Sequence, residues 1–459
     1  MTTLTPPTIP APPTTPPEPS TATPSRAGST LPTGASTQTG KSAPASASTR
    51  TGSVMRSDMA TRVAALVPSG VSPRTGPVAQ SDTMHVASLA PTGGETLTAT
   101  PDVPHPSSQG PTLTFIVPAH NEEEGLPATL ESLLRQTVTA EEIIVVDDGS
   151  TDRTGEVARA YGVTVLRPER NLGSKARAQN HALPHCRTDL VLAVDADTVL
   201  APDYVERIKP VFADPQVVVA AGNVQTRFTR TVWERGRSIE YLFGFHFQRP
   251  IQAGARSPVV CSGCCSAFRL DALRELGGFP ERTIVEDMDA TWSWQIAGLK
   301  AMYVSDAVAW AADPETLLYL RKQVWRWMAG FFQNVRLHIC PMARRKPMLA
   351  VWVALAVMEI LLAPLWWASP ILLTFVWHVS PVHAIAAWLG SELVLITPPL
   401  LYAVRRRHLS VLKVLGNVPC IYPTRAVNTY YAWKALVIEL ILVPLRLASS
   451  LTVYEKGRG

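Results

Sequence analysis

Across its first 110 residues this chain has no phenylalanine, tryptophan or tyrosine, although 33 aromatic residues follow. The same stretch carries 18 of the 40 prolines and is otherwise rich in Ser, Thr and Gly. Such a segment cannot bury enough apolar area to offset chain entropy. That excludes a packed domain there and predicts a disordered, polyproline-prone tail over residues 1–110, with at most a helical turn at Met59–Val67. A large charge excess is also missing. The net charge is only +5, and no long basic block interleaves with aromatics, which excludes nucleic acid as the partner. Residues 1–30 lack a basic start followed by an apolar stretch, so no secretory signal is expected. The six cysteines, at 186, 261, 264, 265, 340 and 420, do not space like a disulfide framework and predict a reducing, cytosolic setting. Neither Gly-x4-Gly-Lys-Ser/Thr nor a Gly-x-Gly-x-x-Gly after the first strand is present, which disfavours P-loop and dinucleotide enzymes.

What is there begins abruptly at Leu113. Leu113–Val117, Ile143–Val146, Val163–Leu166 and Leu190–Val194 are short runs rich in Val, Ile and Leu. Helix-like stretches, Glu122–Gln136, Asp152–Tyr161 and Ser174–His185, lie between them. This alternation predicts an α/β fold, a mainly parallel sheet with helices on both faces. Ligands of such sheets bind beyond the carboxyl ends of the strands. Further on, Met348–Trp367 and Val382–Val404 each contain a single acid, Glu359 and Glu392, and are long enough to cross a bilayer. The clusters Arg344-Arg345-Lys346 and Arg405-Arg406-Arg407 abut them. Positive-inside logic then predicts a membrane hairpin with the catalytic part cytosolic. Thr429–Leu447, with Lys434, Glu439 and Pro444, reads equally as a third span or as an interfacial helix.

Three strand ends carry polar or acidic residues. Strand one enters Pro118-Ala119-His120-Asn121-Glu122, strand two ends in Asp147-Asp148-Gly149-Ser150, and strand four ends in Asp195-Ala196-Asp197. One such acid is usually a helix N-cap, a role expected here of Ser150 or Asp152; three at one edge call for another explanation. On an extended segment Asp195 and Asp197 would share a face. Two adjacent carboxylates suit a hard divalent cation, Mg²⁺ or Mn²⁺, that also binds phosphate oxygens. Asn171-Leu172-Gly173-Ser174-Lys175 opens a helix with a basic residue suited to phosphate. Ile284-Val285-Glu286-Asp287-Met288-Asp289 sets three acids before the helix-like run Ala290–Ile296. Arg321-Lys322-Gln323-Val324-Trp325-Arg326-Trp327 could anchor an interfacial helix and, on another face, stack sugar and contact phosphate. Cys261-Ser262-Gly263-Cys264-Cys265 has no second cysteine pair nearby to complete a zinc site. His120, His181 and His185 are read as local hydrogen-bonding residues.

In that order, these motifs resemble the family 2 inverting glycosyltransferases with a GT-A fold, from about Thr112 to Arg336. Within the family they look most like membrane-embedded processive β-glycan synthases, which make chitin oligosaccharides, poly-N-acetylglucosamine, hyaluronan or cellulose. The resemblance implies a GT-A domain over 111–340, ending in an interfacial Gln-x-x-Arg-Trp helix, and a membrane region of two or three helices over 348–459. Pro118, Ala119 and Glu122 would line a nucleotide pocket, with Asp148 near a uracil. Lys175 and Arg326 would contact the pyrophosphate, Asp195 would lie near the nucleotide, and Asp197 would hold the metal. Asp287 would be the general base. Gln323, Arg326 and Trp327 match the signature whose Trp forms an acceptor platform, and that signature favours oligomer or polymer synthesis. The segment from Cys261 to Arg269 would line the acceptor side.

The implied partners are a UDP-sugar, best UDP-N-acetylglucosamine, a carbohydrate acceptor and a lipid bilayer, the plasma membrane. A tail stands where relatives commonly have a span, and two or three spans are few for a glycan channel. An oligomer, a translocation partner or a short product would resolve this. Transfer of one sugar to a polyprenyl phosphate or other lipid is the alternative, and an inactive nucleotide-sugar-binding scaffold is a second.

Overall fold

The computed structural model describes residues 110–451, so the tail before Gly110 and its expected helical turn lie outside the described residues. A single eight-stranded sheet organises the first two thirds of what is described. Its strands are β1 (Leu113–Ala119), β2 (Glu142–Asp147), β3 (Thr164–Leu166), β4 (Leu190–Val194), β5 (Val199–Leu200), β6 (Val217–Thr226), β7 (Cys265–Arg269) and β8 (Lys300–Ala311). They run in the order β3-β2-β1-β4-β7-β6-β8-β5. The first four neighbours are parallel, as the alternating pattern predicted. Antiparallel β7 then joins β4 to β6, and β8 pairs parallel with β6, so the sheet as a whole is mixed. This is the expected GT-A architecture.

The helices that frame the site are α1 (Leu126–Leu134), α2 (Thr154–Ala160), α3 (Lys175–Ala182), α4 (Val232–Phe243), α5 (Glu286–Ile296), α6 (Leu317–Arg345), α7 (Pro347–Phe375), α8 (Pro381–Arg407) and α9 (Ile421–Leu436). Successive strand residues face opposite ways, and β1 obeys this strictly. Phe115 and Val117 pack with Leu126, Leu130 and Ala158 of α1 and α2. Ile116 packs on the other face, with Ala176, Ala178 and Ala182 of α3. Both faces are covered, so the strand reads as an unbroken apolar run.

The first apolar run, Met348–Trp367, lies within α7, which continues through Pro364 and Pro370 to Phe375. Transmembrane helices tolerate such prolines where neighbours re-satisfy the freed backbone groups. Among the described residues α7 and α8 are the two helices long and apolar enough to cross a membrane. Only 11% of the most apolar window of α7 is buried, unlike the core helix of a soluble domain. The segment over Thr429–Leu447 is not a third such helix. It begins within α9, loosens into a wider turn at Val437–Leu442, and packs on α6. There Glu439 is buried, accepting from Gln333 (3.2 Å) and Ser450 (2.7 Å) and pairing with Arg336 (3.5 Å).

One hydrophobic cluster joins the two parts of the chain. It unites Trp292 of α5 and Phe331 and Phe332 of α6 with Leu349 and Val353 of α7 and Ala435 and Leu436 of α9.

Candidate active site

The carboxyl ends of β1, β2 and β4 open into a cavity of about 780 Å³. Of the residues singled out from the sequence it is lined by Pro118, Ala119, Glu122 and Asp148 beyond the first two strands, Asp195 and Asp197 beyond β4, Lys175 at the start of α3, Asp287 at the start of α5, and Gln323, Arg326 and Trp327 on α6. At its far end the cavity reaches Met328, Phe331 and, on α7, Ala356 and Ile360.

The two acids ending β2 divide their work. Asp147 is buried and accepts from Arg167 (2.7 Å) and the Ser150 N–H (3.1 Å), bracing the loop. Asp148 turns to the cavity, where its Oδ1 accepts the Leu172 N–H at 2.7 Å and burial raises its carboxyl above the ordinary value. Gly149 between loop and cavity has φ +69°, and a Cβ there would sit 3.0 Å from Asn171 N, so glycine answers both demands. His120 Nδ1 lies 2.8 Å from the Asp148 carbonyl, a local hydrogen bond as expected. The N-cap expectation holds for Asp152 and not for Ser150: Arg153 at the cap position makes no side-chain cap bond, and Asp152 beside it satisfies the first helical N–H. Ser150 Oγ accepts from Asn121 N (3.0 Å), and Asp152 accepts from the first helical N–H, of Thr154 (2.9 Å). These contacts tie the first two strand-end loops together.

Asp195 and Asp197 share the cavity for a different reason than the one predicted. The segment is a turn closed by Thr198 N donating to the Asp195 carbonyl (3.0 Å), not extended strand. Lys175, whose helix is capped by Ser174 accepting from Arg177 N, bridges Asp195 and Glu286. Its Nζ lies 2.5 Å from Asp195, 3.7 Å from Glu286 and 3.1 Å from the Gly263 carbonyl. Burial alone would push the ammonium down; Asp195 and Glu286 outweigh it and hold Lys175 above its ordinary value, firmly charged.

The acidic run at 286–289 starts α5 instead of preceding it, which sends its members to different sides. Asp287 accepts the Gly263 N–H (2.6 Å) and the Met288 N–H (2.7 Å) in the cavity. Burial raises its carboxyl, partly offset by Lys175. Glu286, which the sequence reading left without a role, also lines the cavity, and burial pushes its carboxyl up to about 7 against the opposing pull of Lys175. Asp289 turns away, buried against Arg282 (2.8 Å) and His338 (2.8 Å).

Thr316 caps α6, and Gln323, Arg326 and Trp327, three and four residues apart, share one helical face. Trp325, two residues from Trp327, looks the other way, under Lys434 (4.5 Å) and beside Tyr431. Two residues sequence reasoning missed meet this face. Arg237 of α4 donates to Gln323 Oε1 (3.1 Å) and stacks 4.6 Å over the Trp327 ring. Asp313, before α6, is buried in the cavity wall with its carboxyl pushed up to about 6 by burial. An arginine on an amphipathic helix gives no sign in sequence that it faces inward. Of the 261–269 segment, Ser262, Gly263 and Cys264 reach the cavity, while Cys265–Arg269 is sheet.

The donor set fits a hard divalent ion. Asp195 and Asp197 offer two oxygen-bearing side chains from one turn, and among the described residues no three His, Cys, Asp or Glu form a closed cage. Mg²⁺ and Mn²⁺ are typically held by one or two carboxylates with water and phosphate completing the shell.

Residues 114–277 match the family model described as glycosyl transferase family 2. The chain is 31% identical over 228 residues to a poly-beta-1,6-N-acetyl-D-glucosamine synthase of Staphylococcus aureus (strain COL), covering 48% of this chain and 54% of that protein. The synthase of the same name from Staphylococcus epidermidis is 30% identical over 227 residues. The chain thus spans about half the length of the curated relatives it matches. Among solved structures, a mannosyltransferase from Pyrobaculum calidifontis in complex with GDP-Man and Mn²⁺ aligns with TM-score 0.49 and 22% identity, over 73% of this chain and 88% of that one.

Proposed function

With a family 2 glycosyl transferase domain over residues 114–277 as premise, we propose that this protein is an inverting, metal-dependent glycosyltransferase. It moves a sugar from a UDP-sugar, UDP-N-acetylglucosamine by preference, to the end of a growing β-linked oligo- or polysaccharide. The observation that carries this reading is the cavity beyond the strand ends. It brings a buried carboxylate, a charged lysine, an acidic turn and the Gln323-Arg326-Trp327 face within one enclosure. The N-acetylglucosamine preference follows the name of the staphylococcal relatives.

In this reading Asp287 takes the proton of the acceptor hydroxyl as its oxygen bonds to the anomeric carbon. The bond from that carbon to the diphosphate breaks on the opposite side, and the electron pair leaves with the UDP. One displacement turns an α-linked donor into a β-glycoside. Lys175 and Arg326 supply positive charge toward the diphosphate. Asp197, with Asp195 beside it, would hold Mg²⁺ or Mn²⁺, which when bound neutralises charge on the leaving group. Trp327 would carry the acceptor sugar on its ring.

The membrane part of the proposal has its own support. Arg406 and Arg407 at the end of α8 donate to Asp306 (3.0 Å) and to the Ser305 carbonyl (2.7 Å) of the sheet domain. The basic end of a candidate span is therefore docked on the catalytic part, which positive-inside orientation assigns to the cytosol, at the plasma membrane. An oligomer or a translocation partner would complete a path for a long product.

Membranes containing the full chain, given a panel of labelled UDP-sugars with Mn²⁺ or Mg²⁺, should lengthen a β-linked acceptor with one donor. Absence of growth with every donor would sink the reading. A second reading, one sugar passed to a polyprenyl phosphate or other lipid, draws on the apolar far end of the cavity at Phe331, Ala356 and Ile360. It predicts a single labelled product that partitions into organic solvent.

A further inference from the structure

Arg237 lies behind the cavity wall, and its neighbours line the wall. Its Nη1 donates to Glu240 (2.5 Å) and its Nη2 to Gln323 (3.1 Å). Its guanidinium lies 4.6 Å over the Trp327 ring and 5.6 Å from that of Tyr241, and Nε faces Asp313 at 3.8 Å. Gln323, Trp327, Tyr241 and Asp313 all border the cavity; Arg237, only 5% exposed, does not. Its partner Glu240 is fixed in turn by Asn428 of α9 (2.8 Å). The helix beneath is pinned as well: a Cβ on Gly236 would lie 1.9 Å from Thr424 Oγ1.

Burying a guanidinium is costly unless its donors are satisfied. Ile239 and Leu242 of α4 pack on a different side of the helix, against Ile396, Leu400 and Ala403 of α8, so the Arg237 face is set apart from that apolar seam. What the cation adds is geometric. A planar fork orients the Gln323 amide while the same plane stacks on one face of the Trp327 indole, a combination lysine cannot reproduce. Trp327 itself borders the cavity.

We propose that Arg237 is a positioning residue for the acceptor: it locks Gln323 and Trp327 in the arrangement that seats an acceptor sugar, and it acts without touching the donor. The proposal rests on the glycosyltransferase reading above and adds the means by which the acceptor end is set.

The test uses the full chain in membranes, with a β-linked N-acetylglucosamine tetrasaccharide as acceptor probe. Arg237→Lys and the pair Arg237→Gln with Asp313→Asn are compared with Asp313→Asn alone, so that no buried aspartate charge is stranded by the loss of the cation. Acceptor KM should rise at least tenfold, and the ratio of transfer to hydrolysis of the nucleotide-sugar should fall by a similar factor. Donor KM should stay within about twofold, and Arg237→Lys should recover only part of the loss. Equal changes in both KM values, or an unchanged ratio, in a double variant that melts with Asp313→Asn would make Arg237 a fold residue and overturn the proposal. A wild-type chain that processes no nucleotide-sugar would instead overturn the reading on which it rests.

Discussion

At the scale of single residues, the decisive contrast is between Asp287 and Asp289. Two positions apart on a helix, they face a cavity and a buried ion pair respectively. Asp287→Asn should lower kcat by roughly 10²–10⁴-fold, the usual worth of a general base, with donor KM little changed. Burial raises the Asp287 carboxyl. The base works deprotonated, so kcat/KM should fall as pH drops through a midpoint above the ordinary aspartate value. A pH profile with its acidic limb at or below that value would contradict the assignment. The acids at the strand ends were legible because carboxylates closing apolar strands are out of place in a core. Arg237 and Asp313 were not, since each sits in an ordinary amphipathic context and their meeting with α6 depends on tertiary packing. The side from which Asp195 and Asp197 present themselves was also hidden, because alternation along a strand and a tight turn can both converge two carboxylates.

At the scale of elements, α6 is held against the lead-in to α5 by a glycine. A Cβ on Gly330 would lie 2.1 Å from Val285 Cγ2 and 3.0 Å from Ile284 Cγ2. Gly330→Ala gains about 1 kcal/mol of helix propensity, but overpacking typically costs about 1–3 kcal/mol. With a contact this short the clash should win. A lower melting temperature is expected, and a loss of kcat beyond what stability explains, because Ile284 and Val285 set the position of Glu286 and Asp287. Melting and turnover measured on one preparation would check both. The parallel half of the sheet was readable from its apolar runs, and the two long helices from their length. The antiparallel insertion of β7 was not, because nothing local distinguishes a strand that pairs backward. Likewise the fate of Thr429–Leu447 turned on Glu439 finding Gln333 more than a hundred residues away.

At the scale of the whole molecule, the cluster around Trp292, Phe331 and Phe332 is completed by Leu349, Val353, Ala435 and Leu436. A chain ending before Pro347 should therefore expose that cluster, aggregate, and show faster proteolysis within α5 and α6. A soluble, active fragment of that length would refute this. Removing residues 1–109, which the sequence excludes from the chemistry, should leave turnover unchanged in the same assay. Finally, α6 joins the sheet domain to the candidate spans. From Gln323 to Pro341 it rises roughly 27 Å, and it hands over almost directly to α7 at Pro347. A tilt of about 5° at its lower end would displace the acceptor face by roughly 2 Å, and misplacement of about 1 Å can cost 10²-fold in rate. With α7 in a bilayer, as proposed, the helix would be a lever arm whose fulcrum is the lipid boundary. Reconstituted in bilayers of graded acyl-chain length, the enzyme should show a turnover optimum at one thickness, which would make the membrane a setting of the active site as well as its anchorage.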